Sequence, residues 1–225
     1  MSVRLHFEMN QLKKSILTLG AAVEEALYLA VKALQERDEK TALKVIETDQ
    51  EIDNMEVELE EECLKLLALH QPVATDLRFI VAVLKINNDL ERIGDLAVNI
   101  AERARFLAVQ PPVNVQLDFP AMADTVQIMV KKSLDALVNM DTGIACEVIE
   151  MDDQVDEMNR DMYRQIQDAI AKDPGQLESL IHLLSTSRHL ERIADQTTNI
   201  AEDVIYMIDG KIVRHKTEDY RKDLK

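Results

Sequence analysis

One block of this chain is written twice. Leu90-Glu91-Arg92-Ile93-Gly94-Asp95, followed by Asn99-Ile100-Ala101-Glu102, returns 100 residues later as Leu190-Glu191-Arg192-Ile193-Ala194-Asp195 and Asn199-Ile200-Ala201-Glu202. Upstream, Ile46-Glu47-Thr48-Asp49 and Asp53-Asn54-Met55 return as Ile149-Glu150-Met151-Asp152 and Asp156-Glu157-Met158, displaced by 103. Two matches in the same order at nearly one offset make the chain a tandem of two like units. Whatever one half folds into, the other must follow.

Periodicity says what that unit is. Leu90, Ile93, Ala97, Ile100, Ala104 and Leu107 step by 3, 4, 3, 4 and 3, the seam of a helical bundle. Pro72, Pro111, Pro112, Pro120, Pro174, Gly143, Gly175 and Gly210 fall between such patterns, and only Gly20 and Gly94 fall inside them. Six helices are predicted, over 4–36, 39–70, 72–108, 119–140, 142–172 and 175–209. Pro72 suits the first turn of the third helix, and Gly210 the position just past the end of the sixth. The expected fold is all-α: two tandem three-helix bundles of long antiparallel helices, together elongated. One unit spans 1–110 and the other 119–210, joined by the proline-bearing linker Val109–Phe119 and followed by a basic tail at 211–225. That tail reads as solvated and partly frayed.

The remaining composition excludes several functions. Lys and Arg number 26 against 42 Asp and Glu, a formal charge of −16, which argues against nucleic acid or an anionic membrane as a broad partner. Cys63 and Cys146 lie far apart, without disulfide or zinc-thiolate spacing. The longest apolar run, Phe79 to Leu84, is far short of the roughly 20 residues of a membrane span, and the alternating apolar and charged residues of Met1 to Asn10 carry no expectation of a signal peptide. A cytoplasmic protein is expected, meeting the membrane only through its partners.

The acidic residues are organised. Residues at i, i+4, i+8 and i+11 of a helix share a narrow arc. Glu91, Asp95, Asn99 and Glu102 form one such stripe and Glu191, Asp195, Asn199 and Glu202 another. The second helix of the first unit carries Asp49, Asp53, Glu56 and Glu60. Its counterpart carries Asp152, Asp156 and Asn159, with Tyr163 in place of Glu60. Nine carboxylates and no base lie from Glu47 to Glu62, and eight and none from Asp135 to Glu157. Like charges at i, i+4 each cost a helix a few tenths of a kcal/mol, about what one interspersed lysine would relieve. A lone Asp-x-x-x-Asp is an ordinary solvated face. Pairs repeated at matched positions on facing helices favour an all-oxygen site for Mg²⁺, Mn²⁺, Ca²⁺ or iron, the other reading being an acidic interaction surface.

Catalysis finds no footing. Glu-x-x-His, the signature of di-iron carboxylate bundles, does not occur. His182 and His189 share a face by their seven-residue spacing but lie off the acidic stripe, and read as structural or surface residues. There is no phosphate-cradling Gly-rich loop and no nucleophile elbow. The alternatives to a binding protein that carries metal are a metal-dependent phosphohydrolase and a helical adaptor without metal.

His70-Gln71-Pro72-Val73-Ala74-Thr75-Asp76-Leu77-Arg78 and the twin Leu-Glu-Arg-Ile-x-Asp…Asn-Ile-Ala-Glu blocks resemble the PhoU family, over nearly the whole length. The resemblance implies a negative regulator of the phosphate-starvation response and of phosphate uptake. Its implied partners are the ATPase subunit of the phosphate transporter and a PhoR-type sensor histidine kinase, with a homodimer as its form. It also implies multinuclear metal clusters, with Asp49, Asp53, Glu91 and Asp95 serving one and Asp152, Asp156, Glu191 and Asp195 the other. Asn99 and Asn199, on the same stripes, are candidate metal ligands beside them. Family members often carry His after the second Asp of the third-helix motif, where this chain has Leu96 and Gln196. That difference favours iron, magnesium or manganese and leaves zinc possible.

Overall fold

The computed structural model describes residues 3–115 and 117–213. Its helices are α1 (Val3–Glu36), α2 (Glu39–His70), α3 (Ala74–Ala108), α4 (Phe119–Asn139), α5 (Thr142–Lys172) and α6 (Leu177–Asp209). One 3-10 turn, Pro174–Gln176, precedes α6. The six helices and their breaks follow the periodicity.

Aspartates cap α2, α4, α5 and the 3-10 turn before α6. Asp38 accepts the Lys40 N–H at 2.9 Å and the Thr41 hydroxyl at 2.6 Å. Asp141 accepts from Gly143 and Ile144 at the head of α5, Asp118 from Ala121 at the head of α4, and Asp173 from Gly175 before α6. Each side chain supplies an acceptor to N–H groups that the first turn leaves open.

The expectation for Pro72 needs correcting. It lies outside α3, in the connection between Gln71 and Ala74: Val73 after it is extended (φ −130°, ψ 161°), so the helix begins only at Ala74. Gln71 instead closes α2 in the left-handed region (φ 45°), its N–H on the Leu67 carbonyl. Gly210 caps α6 as expected, at φ 71° with its N–H on the Tyr206 carbonyl.

The seam residues Leu90, Ile93, Ala97, Ile100, Ala104 and Leu107 are all buried. Helices α1, α2 and α3 pack together as one bundle, and α4, α5 and α6 as the second. The bundles join along α3 and α6, with a further contact of α1 on α4. Lys85 of α3 meets Asp203 of α6, while Phe106 stacks on His182, so these two helices run antiparallel. The linker is tied down at its start and its middle. The Arg37 guanidinium donates to the carbonyls of Leu107 and Gln110, and the Asn114 N–H donates to Gln176 Oε1 at 3.0 Å. The first residues of the tail are not solvated throughout: Val213 is buried beside Lys85 and Tyr206 in a cavity of about 230 Å³. The rest of the basic tail, 214–225, lies outside the described residues.

Met140 ends α4 at φ 54°, exposed, its N–H on the Ala136 carbonyl. A Cβ in the left-handed region costs about 1–2 kcal/mol, part of which glycine returns as chain entropy in the unfolded state. Met140→Gly is therefore expected to stabilise the protein by about 0.5–1 kcal/mol. The check is a higher denaturant midpoint with an unchanged slope.

Candidate metal centres

Close packing of α2 on α3 sets up the first cluster. A Cβ on Gly94 would stand 3.2 Å from Ile52 Cγ2 and 3.9 Å from Asp49 Oδ1, so the glycine lets the two helix faces approach. At the matching places the second unit has Ala194 and Val155, a larger residue on one helix and a smaller one on the other. Both solutions hold two acidic stripes against each other.

Asp49, Asp53, Glu91 and Asp95 come together across the groove between α2 and α3. Burial first, then the charges of Asp53 and Asp95, push the Asp49 carboxyl above its ordinary value. Glu91 is raised by burial, then by Asp95, Asp53 and Glu56, against the opposing pull of Arg92. Glu56, on the α2 stripe, also belongs to this group: it is raised by burial, then by Glu60 and Asp53.

The second unit repeats the arrangement between α5 and α6. Asp152 is pushed up to about 6, by burial first and then by Asp195, Asp156, Asp153 and Glu191. Glu191 and Asp195 are raised by burial and by Asp156, and Arg192 opposes both shifts. Carboxylates gathered closely enough to act on one another across a groove are an all-oxygen donor set in want of positive charge, the chemistry of a hard cation. The residues therefore fit such an ion in type. As they stand, no group of three or more His, Cys, Asp or Glu side chains among the described residues is set to hold one, so binding would have to draw the carboxylates inward.

The last members of the α3 and α6 stripes part company with the clusters. Glu102 is exposed beside Arg103, whereas Glu202 is buried and lines the cavity with Lys85 and Tyr206. The Asn99 amide donates to the Asp95 carbonyl of its own helix at 2.8 Å, and Asn199 is half-buried at the matching place. One feature escaped the sequence reading. Below each cluster a polar bridge joins the helices: Asn87 donates to the Glu56 carbonyl and to Glu56 Oε1, and the Ser187 hydroxyl donates to Asn159 Oδ1. These pairs occupy the same places under the two repeat offsets. His182 and His189 lie away from the acidic grooves. His182 stacks on Phe106 with ring centroids 3.8 Å apart, and burial lowers both imidazoles, His189 to about 4.

The model of the PhoU domain matches this chain twice, over residues 16–104 and 119–204. The chain belongs to the PhoU family. The phosphate-specific transport system accessory protein PhoU homolog of Aquifex aeolicus is 39% identical over 214 residues, 95% of this chain and 97% of that protein. The crystal structure of PhoU from Pseudomonas aeruginosa superposes with a TM-score of 0.89 at 35% identity, covering 92% of this chain and 99% of that one. The phosphate transport system regulatory protein PhoU from Streptococcus pneumoniae gives 0.81 at 29% identity, covering 93% and 99%. The PhoU repeat thus accounts for the six helices and for the doubling of the acidic grooves. Among the described residues, no helix is long and apolar enough to cross a membrane.

Proposed function

We propose that this PhoU-family chain is a regulator of phosphate transport that works by binding and carries metal on both of its repeats. The observation behind this reading is the matched pair of four-carboxylate clusters, one on each PhoU repeat. Asp49, Asp53, Glu91 and Asp95 would hold one multinuclear cluster, with Asn99 a turn further on; Asp152, Asp156, Glu191, Asp195 and Asn199 would serve the other. Iron, magnesium or manganese suit these hard oxygens better than zinc. Bound cations would lock α2 to α3 and α5 to α6 and so fix the outer faces offered to partners. Those partners are the ATPase subunit of the phosphate transporter and a sensor histidine kinase, met at the cytoplasmic face of the membrane by a homodimer. In this role the protein restrains uptake and starvation signalling when phosphate is plentiful.

A deletion strain grown in high phosphate is expected to express its phosphate-starvation genes constitutively. Continued repression there overturns the regulatory reading. Purified Asp95→Ala/Asp195→Ala protein, assayed by elemental analysis, is expected to lose at least half of its bound metal, and unchanged content refutes the clusters.

A further inference from the structure

A cavity of about 510 Å³ lies not in either carboxylate groove but in the stretch of the α5–α6 groove below the second of them. Arg160, Tyr163 and Arg164 of α5 line one wall, and Arg188 and Glu191 of α6 the other. Asn159 stands at its base, its Oδ1 taken by the Ser187 hydroxyl, which leaves the amide hydrogens for the groove. Three guanidinium groups gathered in a chain of charge −16 are out of character with their surroundings.

The first repeat is the internal control. Under the same offsets, Arg160, Arg164 and Arg188 correspond to Val57, Glu61 and Asn88, while Asn159 and Tyr163 correspond to Glu56 and Glu60. One copy of the groove is lined by acids and no base, the other by arginines, a phenol and an amide with a single carboxylate at its rim. A bundle needs neither. The existing ion pairs are slight: Arg164 reaches Asp161 at 3.0 Å and Arg160 reaches Asp156 at 3.8 Å, both within one helix face and largely exposed, so either arm turns at little cost.

We propose that this groove binds a small phosphate-class oxyanion, at a site that only the second repeat possesses. Guanidinium forks match tetrahedral oxyanions two bonds at a time, and the Tyr163 hydroxyl and Asn159 amide add neutral donors. The flanking acids, Asp156, Asp161 and Glu191, would repel an extended acidic chain or an anionic bilayer, so the occupant is a free ion or a small ester. The site's donors are its own arginines, Tyr163 and Asn159, so metal is not needed to form it, although Asp156 and Glu191 stand between it and the second carboxylate cluster.

Titration of the full chain with orthophosphate in EDTA at pH 7 and low salt tests this, with heat as the readout. One saturable site per chain is expected, displaced by sulfate. Arg188→Ala should weaken it about tenfold or more, the share of one charge-assisted fork. Arg160→Val/Arg164→Glu/Arg188→Asn, which installs the residues of the first repeat, should abolish it. All three arginines are exposed, so an unchanged helical circular dichroism spectrum certifies the variants. No saturable heat with orthophosphate overturns the proposal, as does binding that the triple substitution leaves intact. Binding to phosphatidylglycerol vesicles without orthophosphate binding overturns it as well. Because EDTA removes metal from the carboxylates, failure here leaves the metal reading standing, and failure of the metal reading leaves this one.

Discussion

At pH 7, 1 mM Mn²⁺ is expected to raise the unfolding midpoint of the EDTA-stripped protein by roughly 10 °C. A ligand at about 1,000 times its dissociation constant stabilises by about 4 kcal/mol, and about 2–4 °C accompany each kcal/mol in a chain of this size. A micromolar constant is ordinary for several carboxylates on a hard cation; the figure counts one ion, and a second ion on the other cluster adds to it. The effect has a pH signature. The Asp152 carboxyl rises from 3.8 to about 6 in the fold. A raised acid holds its proton more tightly folded than unfolded, so the metal-free protein loses stability as pH climbs from about 4 through about 6. Cation binding reverses that loss, and the metal-induced shift should therefore be larger at pH 7 than at pH 5. Asp152→Asn removes one repelling charge. In EDTA at pH 7 it is expected to melt above the wild type, and with Mn²⁺ to gain clearly less. A variant that melts lower in EDTA, or gains as much from the ion, would show that no shared site lies between α5 and α6.

Much of this was legible because two periodicities coincide. The three-four seam at Leu90–Leu107 and its copy around Leu190 give bundle helices, and the same spacing puts Glu91 beside Asp95 on the opposite arc. Stripes on facing helices then have to meet once the helices pack antiparallel. Spacing alone could not say where each stripe leaves the groove. Glu102 and Glu202 sit at equivalent positions, yet one faces solvent and the other is buried against α3, because the helix winds its stripe away from α2 or α5 and toward different neighbours. Nor could it say that α3 starts after Pro72, where Val73 stays extended. The arginine groove was hidden for another reason. Arg160 and Arg164 share one helix with Arg188 on another, 28 residues and 24 residues away, and no motif at that separation marks them. Only the offset comparison with Val57, Glu61 and Asn88 singles them out.

Lys85→Met is expected to destabilise the protein by about 2–3 kcal/mol, a fall of roughly 5–10 °C in its midpoint. Lys85 Nζ donates to Asp203 Oδ1 at 2.6 Å across the joint between the two bundles and lies 5.5 Å from the Tyr206 ring centroid. The two side chains differ in exposure, 40% for Lys85 and 3% for Asp203, so the cost falls on the carboxylate that stays buried when its cation is gone. Water at the lysine end and the further contacts of Asp203 bring the loss below the roughly 3–5 kcal/mol that breaking a fully buried pair costs. Adding Asp203→Asn to Lys85→Met should recover much of it, since the amide needs no counter-charge. Equal melting of the single and double variants would mean that the cation does nothing for Asp203. The pair also breaks the repeat symmetry, because the counterparts of Lys85 and Asp203 are Ser185 and Arg103. At the opposite end of the joint, Phe106 and His182 stack instead. An ionic contact at one end and a stacked one at the other give α3 and α6 a unique register, one that two identical repeats would leave free to slip by a turn.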